Sequence, residues 1–125
     1  MHRTAHFKTA NPEAWTFDES ENPKVPGGEA LAQKLCSAVA QAARSVSAVS
    51  QHSYYGWRFE AVFEAVTVEC VLNAAGDECH LTIALDSILP SWLLPRRIRR
   101  GFATCESVFD GLLRQLPEIS GITWS

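Results

Sequence analysis

From Phe59 to Pro95 the chain has no lysine and no arginine. Six acidic side chains, Glu60, Glu64, Glu69, Asp77, Glu78 and Asp86, fall in that stretch, and Arg96, Arg97, Arg99 and Arg100 follow directly after it. Long apolar runs are missing as well. The most apolar stretch, Ile88 to Leu94, is short and broken by Pro90 and Ser91, which excludes a membrane-spanning helix there. The amino-terminal residues include polar or charged side chains at positions 2, 3, 6, 8 and 11 and no apolar run, unlike a secretory leader. The expectation is a cytoplasmic protein with no membrane partner. Paired metal ligands are also scarce. Of four cysteines and four histidines only Cys79 and His80 are close in sequence, and on a strand they point to opposite faces. His2 and His6 have the spacing of helical ligands in a segment with no helical pattern. No metal and no cofactor is expected. No glycine-rich phosphate loop or nucleophile elbow occurs, and Gly27-Gly28 is followed at once by Glu29, which suits a helix start better than an anion site.

What is present is patterning. Val66 to Leu72 and Cys79 to Leu85 alternate apolar and polar residues, with Gly76-Asp77 inside the intervening Ala74 to Asp77 turn. Pairing about that turn sets Leu72 opposite Cys79, Cys70 opposite Leu81, Val68 opposite Ile83 and Val66 opposite Leu85. Those eight side chains share a face, and Glu69, Glu78, His80 and Asp86 lie on the other. A one-residue slip would bury the acids, so the choice of face is strongly specified. Trp57 to Phe63 alternates too, and joins the hairpin either through a turn at Glu64-Ala65 or as one long bent strand.

Helical spacing of Leu31, Leu35, Val39, Ala42, Val46 and Val49 predicts a helix over residues 28 to 49. Ile98, Phe102, Cys105, Phe109, Leu112 and Leu116 predict a second, opened by Pro95 and limited by Pro117. Gly101 and Gly111 should each weaken it by about 1 kcal/mol relative to alanine. Ile119 to Trp124 has the make-up of a short last strand. The fold class is therefore α+β, a two-layer sandwich of an antiparallel three- to four-stranded meander with both helices on one face, in the order α-β-β-β-α. Residues 1 to 26 read as an irregular arm, and 27 to 125 as one domain. At 125 residues and 46% apolar content the chain can bury about two-thirds of its unfolded surface. The cysteines fall on apolar faces, as reduced core residues do. The order of elements over residues 28 to 116 resembles that of type III secretion chaperones and of small immunity proteins of bacterial toxin systems. The likeness is one of architecture, without a shared motif, and implies no residue role.

Function is sought in the charges. His80 beside Glu69 is the best acid/base pair the register offers, yet a solvated cross-strand pair without a cleft or nucleophile is the simpler account, so no enzyme is expected. Four arginines in the first turn of a helix oppose its dipole; they pair internally with Glu106 or with Asp18, Glu19 and Glu21, stay solvated, or meet an anionic partner. A net charge of -3 and an isoelectric point near 5.8 argue against nucleic acid. The segment from Ile88 to Leu94 is expected to fold over the end of the sheet and close the core. Its other reading is an exposed anchor at Trp92, since tryptophan and leucine beside arginine make up interface hot spots. The expected function is a non-catalytic protein-binding module that masks or inhibits a partner with a basic surface through the acidic sheet face. Its candidate contacts are Glu69, Glu78, His80, Asp86, Trp92, Arg96, Arg97, Arg99 and Arg100. The alternatives are a homodimeric secretion-type chaperone or adaptor, and a small-ligand or enzyme site between sheet and helices.

Overall fold

Apolar residues at every second position build the sheet, and the computed structural model describes residues 1–53, 55–85 and 89–125 of the chain. The strands are β1 (His2–Thr9), β2 (Thr16–Phe17), β3 (Pro23–Val25), β4 (Ser45–Val46), β5 (Ser50–His52), β6 (Gly56–Phe63), β7 (Val66–Ala75), β8 (Glu78–Ala84) and β9 (Ile119–Trp124). The helices are α1 (Glu29–Val39) and α2 (Arg96–Gln115), and Ser91–Leu93 forms a 3₁₀ turn. The main sheet runs β4-β6-β7-β8-β1-β9, with β5 also paired to β6, while β2 and β3 form a separate ribbon. Every pairing among the described residues is antiparallel. The chain is thus a mixed α and β molecule with an antiparallel sheet and two helices.

One face of the sheet is dry. Phe59, Ala61, Val68, Cys70, Leu72, Cys79, Leu81, Ile83 and Ala5 are buried there, together with Leu35 and Val39 of α1 and Cys105, Phe109 and Leu113 of α2. Rings of Phe59 and Phe109 meet across that core with centroids 6.2 Å apart. The faces agree with the sequence pattern, but the hairpin register is two residues away from the expected one. Leu72 is opposite Leu81, Cys70 opposite Ile83 and Ala74 opposite Cys79. Gly76 at φ +64 lets Gly76-Asp77 alone make the turn, so β7 continues through Ala75. An even shift leaves each residue on its face. The link between β6 and β7 is a tight turn, with Glu64 at φ +54.

Three further expectations are corrected. The first concerns residues 2 to 9, which are a strand between β8 and β9 and not irregular chain; Ala5 and Phe7 are buried. Around Glu13 the following segment docks too: its carboxylate accepts from the backbone N–H groups of Ala30 (2.8 Å) and Leu31 (3.3 Å) at the start of α1, where Gly28 supplies no side-chain cap. Trp15 Nε1 donates to the Ala74 carbonyl (2.8 Å). The second is the first helix, which stops at Val39 and does not reach residue 49. Arg44 and Ser47 donate their backbone N–H groups to the Val62 and Glu60 carbonyls of β6, so serine and valine, weak helix formers, join the sheet. The third follows from the other two: strands precede α1 and lie between α1 and β6, so the element order is not α-β-β-β-α.

Candidate protein-binding groove

Alternation along β6 places Arg58 and Glu60 on the sheet face opposite the core, and the β6/β7 register sets Glu60 directly across from Glu69. Two carboxylates in that relation repel. Arg58 removes the conflict: its Nη2 donates to Glu60 Oε1 at 2.6 Å and its Nε to Glu69 Oε2 at 3.0 Å. Hydrogen bonds to Glu69 first, and then Glu60, raise the guanidinium's pKa further, so Arg58 stays charged between two acidic side chains. It forms the floor of an open groove of about 980 Å³. Val66, Leu85, Leu89, Leu94, Pro95 and Ile98 give this groove its apolar wall, with Thr67 and Ala84 beside the floor. Arg58, one residue outside the cation-free stretch, is not among the contacts expected from sequence, although the alternation Trp57-Arg58-Phe59-Glu60 sets it on the same face as Glu60. Because of it, and of Lys8 facing Glu78 across β1 and β8, this sheet face carries mixed charge and is not purely acidic.

The segment expected to close the core does so only through Leu94, and Ile88 lies outside the described residues. Leu94 is buried, but Trp92 is 75% exposed, Leu93 51% and Leu89 46%. Pro90 and Pro95, both extended in ψ, flank the 3₁₀ turn that carries Trp92. Directly after it, α2 starts with no side-chain cap and no acid in its first turn. Arg100 Nε lies 3.5 Å from Glu64 Oε2. Arg96, Arg97 and Arg99 make no ion pair with a described residue. Glu106, a candidate internal partner of these arginines, is held instead by Arg3 at 2.5 Å.

The other candidates lie apart. His80 is not beside Glu69, because the two-residue shift in register puts Ala84 opposite Glu69 and Asn73 opposite His80. His80 instead meets His6 of β1 edge to face, with ring centroids 4.6 Å apart, and His6 Nε2 is 2.9 Å from Ser125 Oγ. Glu78 lines two shallow cavities beside His80, away from the groove. Asp86 lies outside the described residues. All four cysteines are free and buried. Among the described residues, no three His, Cys, Asp or Glu side chains are grouped so as to hold a metal ion, and no helix is long and apolar enough to cross a membrane. No family model, curated protein or solved structure matches the chain.

Proposed function

We propose that the chain is a non-catalytic protein-binding module that masks or inhibits a partner protein, and that it does so through the groove and the adjoining lip at Trp92. The observation that carries this reading is the joining of the Arg58–Glu60–Glu69 floor to an apolar wall whose segment, Leu89 to Leu94, also carries the exposed Trp92. Large aromatic anchors beside a charged, partly desolvated cluster are where binding energy concentrates. Two acidic side chains around one arginine on the floor suit a basic group of the partner, and steer its approach. In this reading Glu69 and Trp92 serve one binding surface, and Glu78 and His80, which line other cavities, are left out of it. We take the two helices as one layer on the dry face of the sheet, leaving the opposite face to binding. Four free thiols suit a reducing compartment and a cytoplasmic location.

Photoreactive amino acids introduced in cells at Thr67, in the groove, and at Trp92 test the reading, with exposed Gln33 of α1 as control. One partner protein captured from both positions and not from the control is the expected result. Capture of none, or equal capture from the control, overturns it. Exposure of Trp92 and Leu93 also supports the alternative of a dimeric secretion-type chaperone or adaptor. Light scattering over a concentration series separates the two, a stable dimer of the protein alone favouring the chaperone.

A further inference from the structure

Where α2 passes the β6/β7 turn, arginines from two distant parts of the chain meet. Arg44, just before β4, and Arg97, in the first turn of α2, line one open cavity of about 420 Å³ together with Glu64, Ala65 and Thr104. Arg100 reaches the same place, its Nε 3.5 Å from Glu64 Oε2. Helical spacing explains the convergence: Arg97, Arg100 and Thr104 share a flank of α2 with Gly101, whose missing side chain lets that flank rest on Val66 and the Phe63 carbonyl. Arg99 belongs to another flank. Arg44 is held in place, because its backbone N–H donates to the Val62 carbonyl (2.8 Å) and its Nη1 to the Glu64 carbonyl (3.1 Å). The rest of its guanidinium fork is left for a ligand.

Glu64 is the only acid lining the cavity, and three guanidinium groups, which stay protonated in proteins, surround it. Positive charge is in excess whatever the state of Glu64. Arg97 makes no ion pair with a described residue and lies at the positive end of the α2 dipole, where a cation costs stability locally. Glu64 itself holds φ +54, a left-handed conformation that glycine adopts freely and that is strained for a residue with a side chain. Strain of this kind clusters at ligand sites.

We propose that this cavity binds a phosphate monoester group. A carboxylate has two oxygens, which a single arginine fork uses up, whereas a phosphate monoester presents three oxygens and close to two negative charges. It can therefore answer Arg44 and Arg97 together. A phosphodiester, with two free oxygens and one charge, fits less well. The group belongs either to a phosphorylated protein side chain or to a free phosphorylated metabolite, and the chemistry at the arginines is the same. Arg44, Arg97 and Arg100 do not line the groove, so the site stands apart from the protein-binding reading above.

Backbone amide shifts, followed by NMR while ligand is added at physiological salt, test the site with glycerol 3-phosphate and with a peptide carrying one phosphoserine. At least one probe should shift the Ala65 and Thr104 amides saturably. Arg97→Gln should weaken that binding roughly tenfold or more, as the loss of a charged hydrogen-bond donor implies. Arg99→Gln should change it less than about twofold, since residues two apart on a helix do not share a flank. Both variants should melt as the wild type does. Tighter binding of the peptide assigns the group to a protein, and tighter binding of the small ester to a metabolite; either supports the site. Binding of neither probe overturns the proposal, as does equal weakening by both changes, which would mark diffuse surface charge. Acetate or dimethyl phosphate bound as tightly as the monoester overturns it too. If Arg97→Gln melts clearly lower, Thr104→Glu takes its place by bringing an acid to the cavity, and full affinity in that variant overturns the proposal.

Discussion

Two glycines of α2 look alike in the sequence and behave oppositely in the fold. A Cβ on Gly101 would lie 2.5 Å from Val66 Cγ1 and 3.0 Å from the Phe63 carbonyl, so this glycine lets α2 approach the β6/β7 turn. Gly111 has nothing within 4 Å of the same point. Gly111→Ala should therefore stabilise by about 1 kcal/mol through helix propensity. Gly101→Ala should destabilise by roughly 1 to 3 kcal/mol through overpacking. Denaturant unfolding of the two variants measures both, and a gain at Gly101 would mean that the helix can move away from the turn. The cysteines offer a second test at this scale. Burial pushes the Cys79 thiol up to about 11 and raises Cys36; a hydrogen bond with Cys105, and then burial, raises Cys70. Each is thus harder to ionise folded than unfolded. The resulting stability is fully present below the unfolded thiol value of about 8.5 and is lost as pH rises through the folded values. Melting temperature should fall between about pH 8.5 and 11, less steeply in Cys79→Ala. Rapid reaction of the native protein with a thiol reagent below pH 8.5 would contradict the burial.

At the scale of elements, β1 is the strand that joins β9 to the rest of the sheet, since it pairs with both β8 and β9. Phe7 is 3% exposed on its inner face, and Phe7→Ala should cost roughly 3 to 5 kcal/mol in chemical unfolding. A loss under about 1 kcal/mol would show that β1 is peripheral. Nothing in His2 to Thr9 by itself betrays such a role: arginine, lysine and two histidines interrupt its apolar residues, and only the partners on both sides make it a strand. Position α2 was legible because Pro95, a sustained apolar stripe and Pro117 agree with one another. The first helix was overextended for a physical reason. Ala42, Val46 and Val49 keep a helical spacing, but the unpaired edge of β6 competes for Arg44 to Ser47 and wins. Sheet faces were legible and the exact partners were not, because a shift of two residues preserves every face. That same shift separated Glu69 from His80 and removed the acid/base pair. The groove itself needed three-dimensional information, as its floor comes from β6 and β7 and its wall from a segment some thirty residues on.

Across the whole molecule, charge is segregated. Leu89 to Cys105 carries four arginines without an acid, in a chain whose net charge is -3. Three acids elsewhere are tied to the fold: Glu106 with Arg3, Glu118 with Lys34, and Asp110 with both Arg114 and the Trp124 indole. Arg96, Arg97 and Arg99 have no such role, and changing all three to Gln should leave the melting temperature unchanged or slightly higher, by a few tenths of a kcal/mol per residue from relief at the helix dipole. A clear drop would identify them as structural. Arg100→Gln, which loses the exposed contact to Glu64, should cost under about 1 kcal/mol. Trp92 is the large aromatic residue on which the proposed binding rests, three-quarters exposed on a 3₁₀ turn between Pro90 and Pro95. The most direct measurement is the affinity of the crosslinked partner for Trp92→Ala by titration calorimetry, with its melting curve taken alongside. The account predicts a loss of roughly 2 kcal/mol or more in binding at an unchanged melting temperature, as for an interface hot spot. Full affinity with a lowered melting temperature would contradict it, since Trp92 would then serve the fold and not the partner.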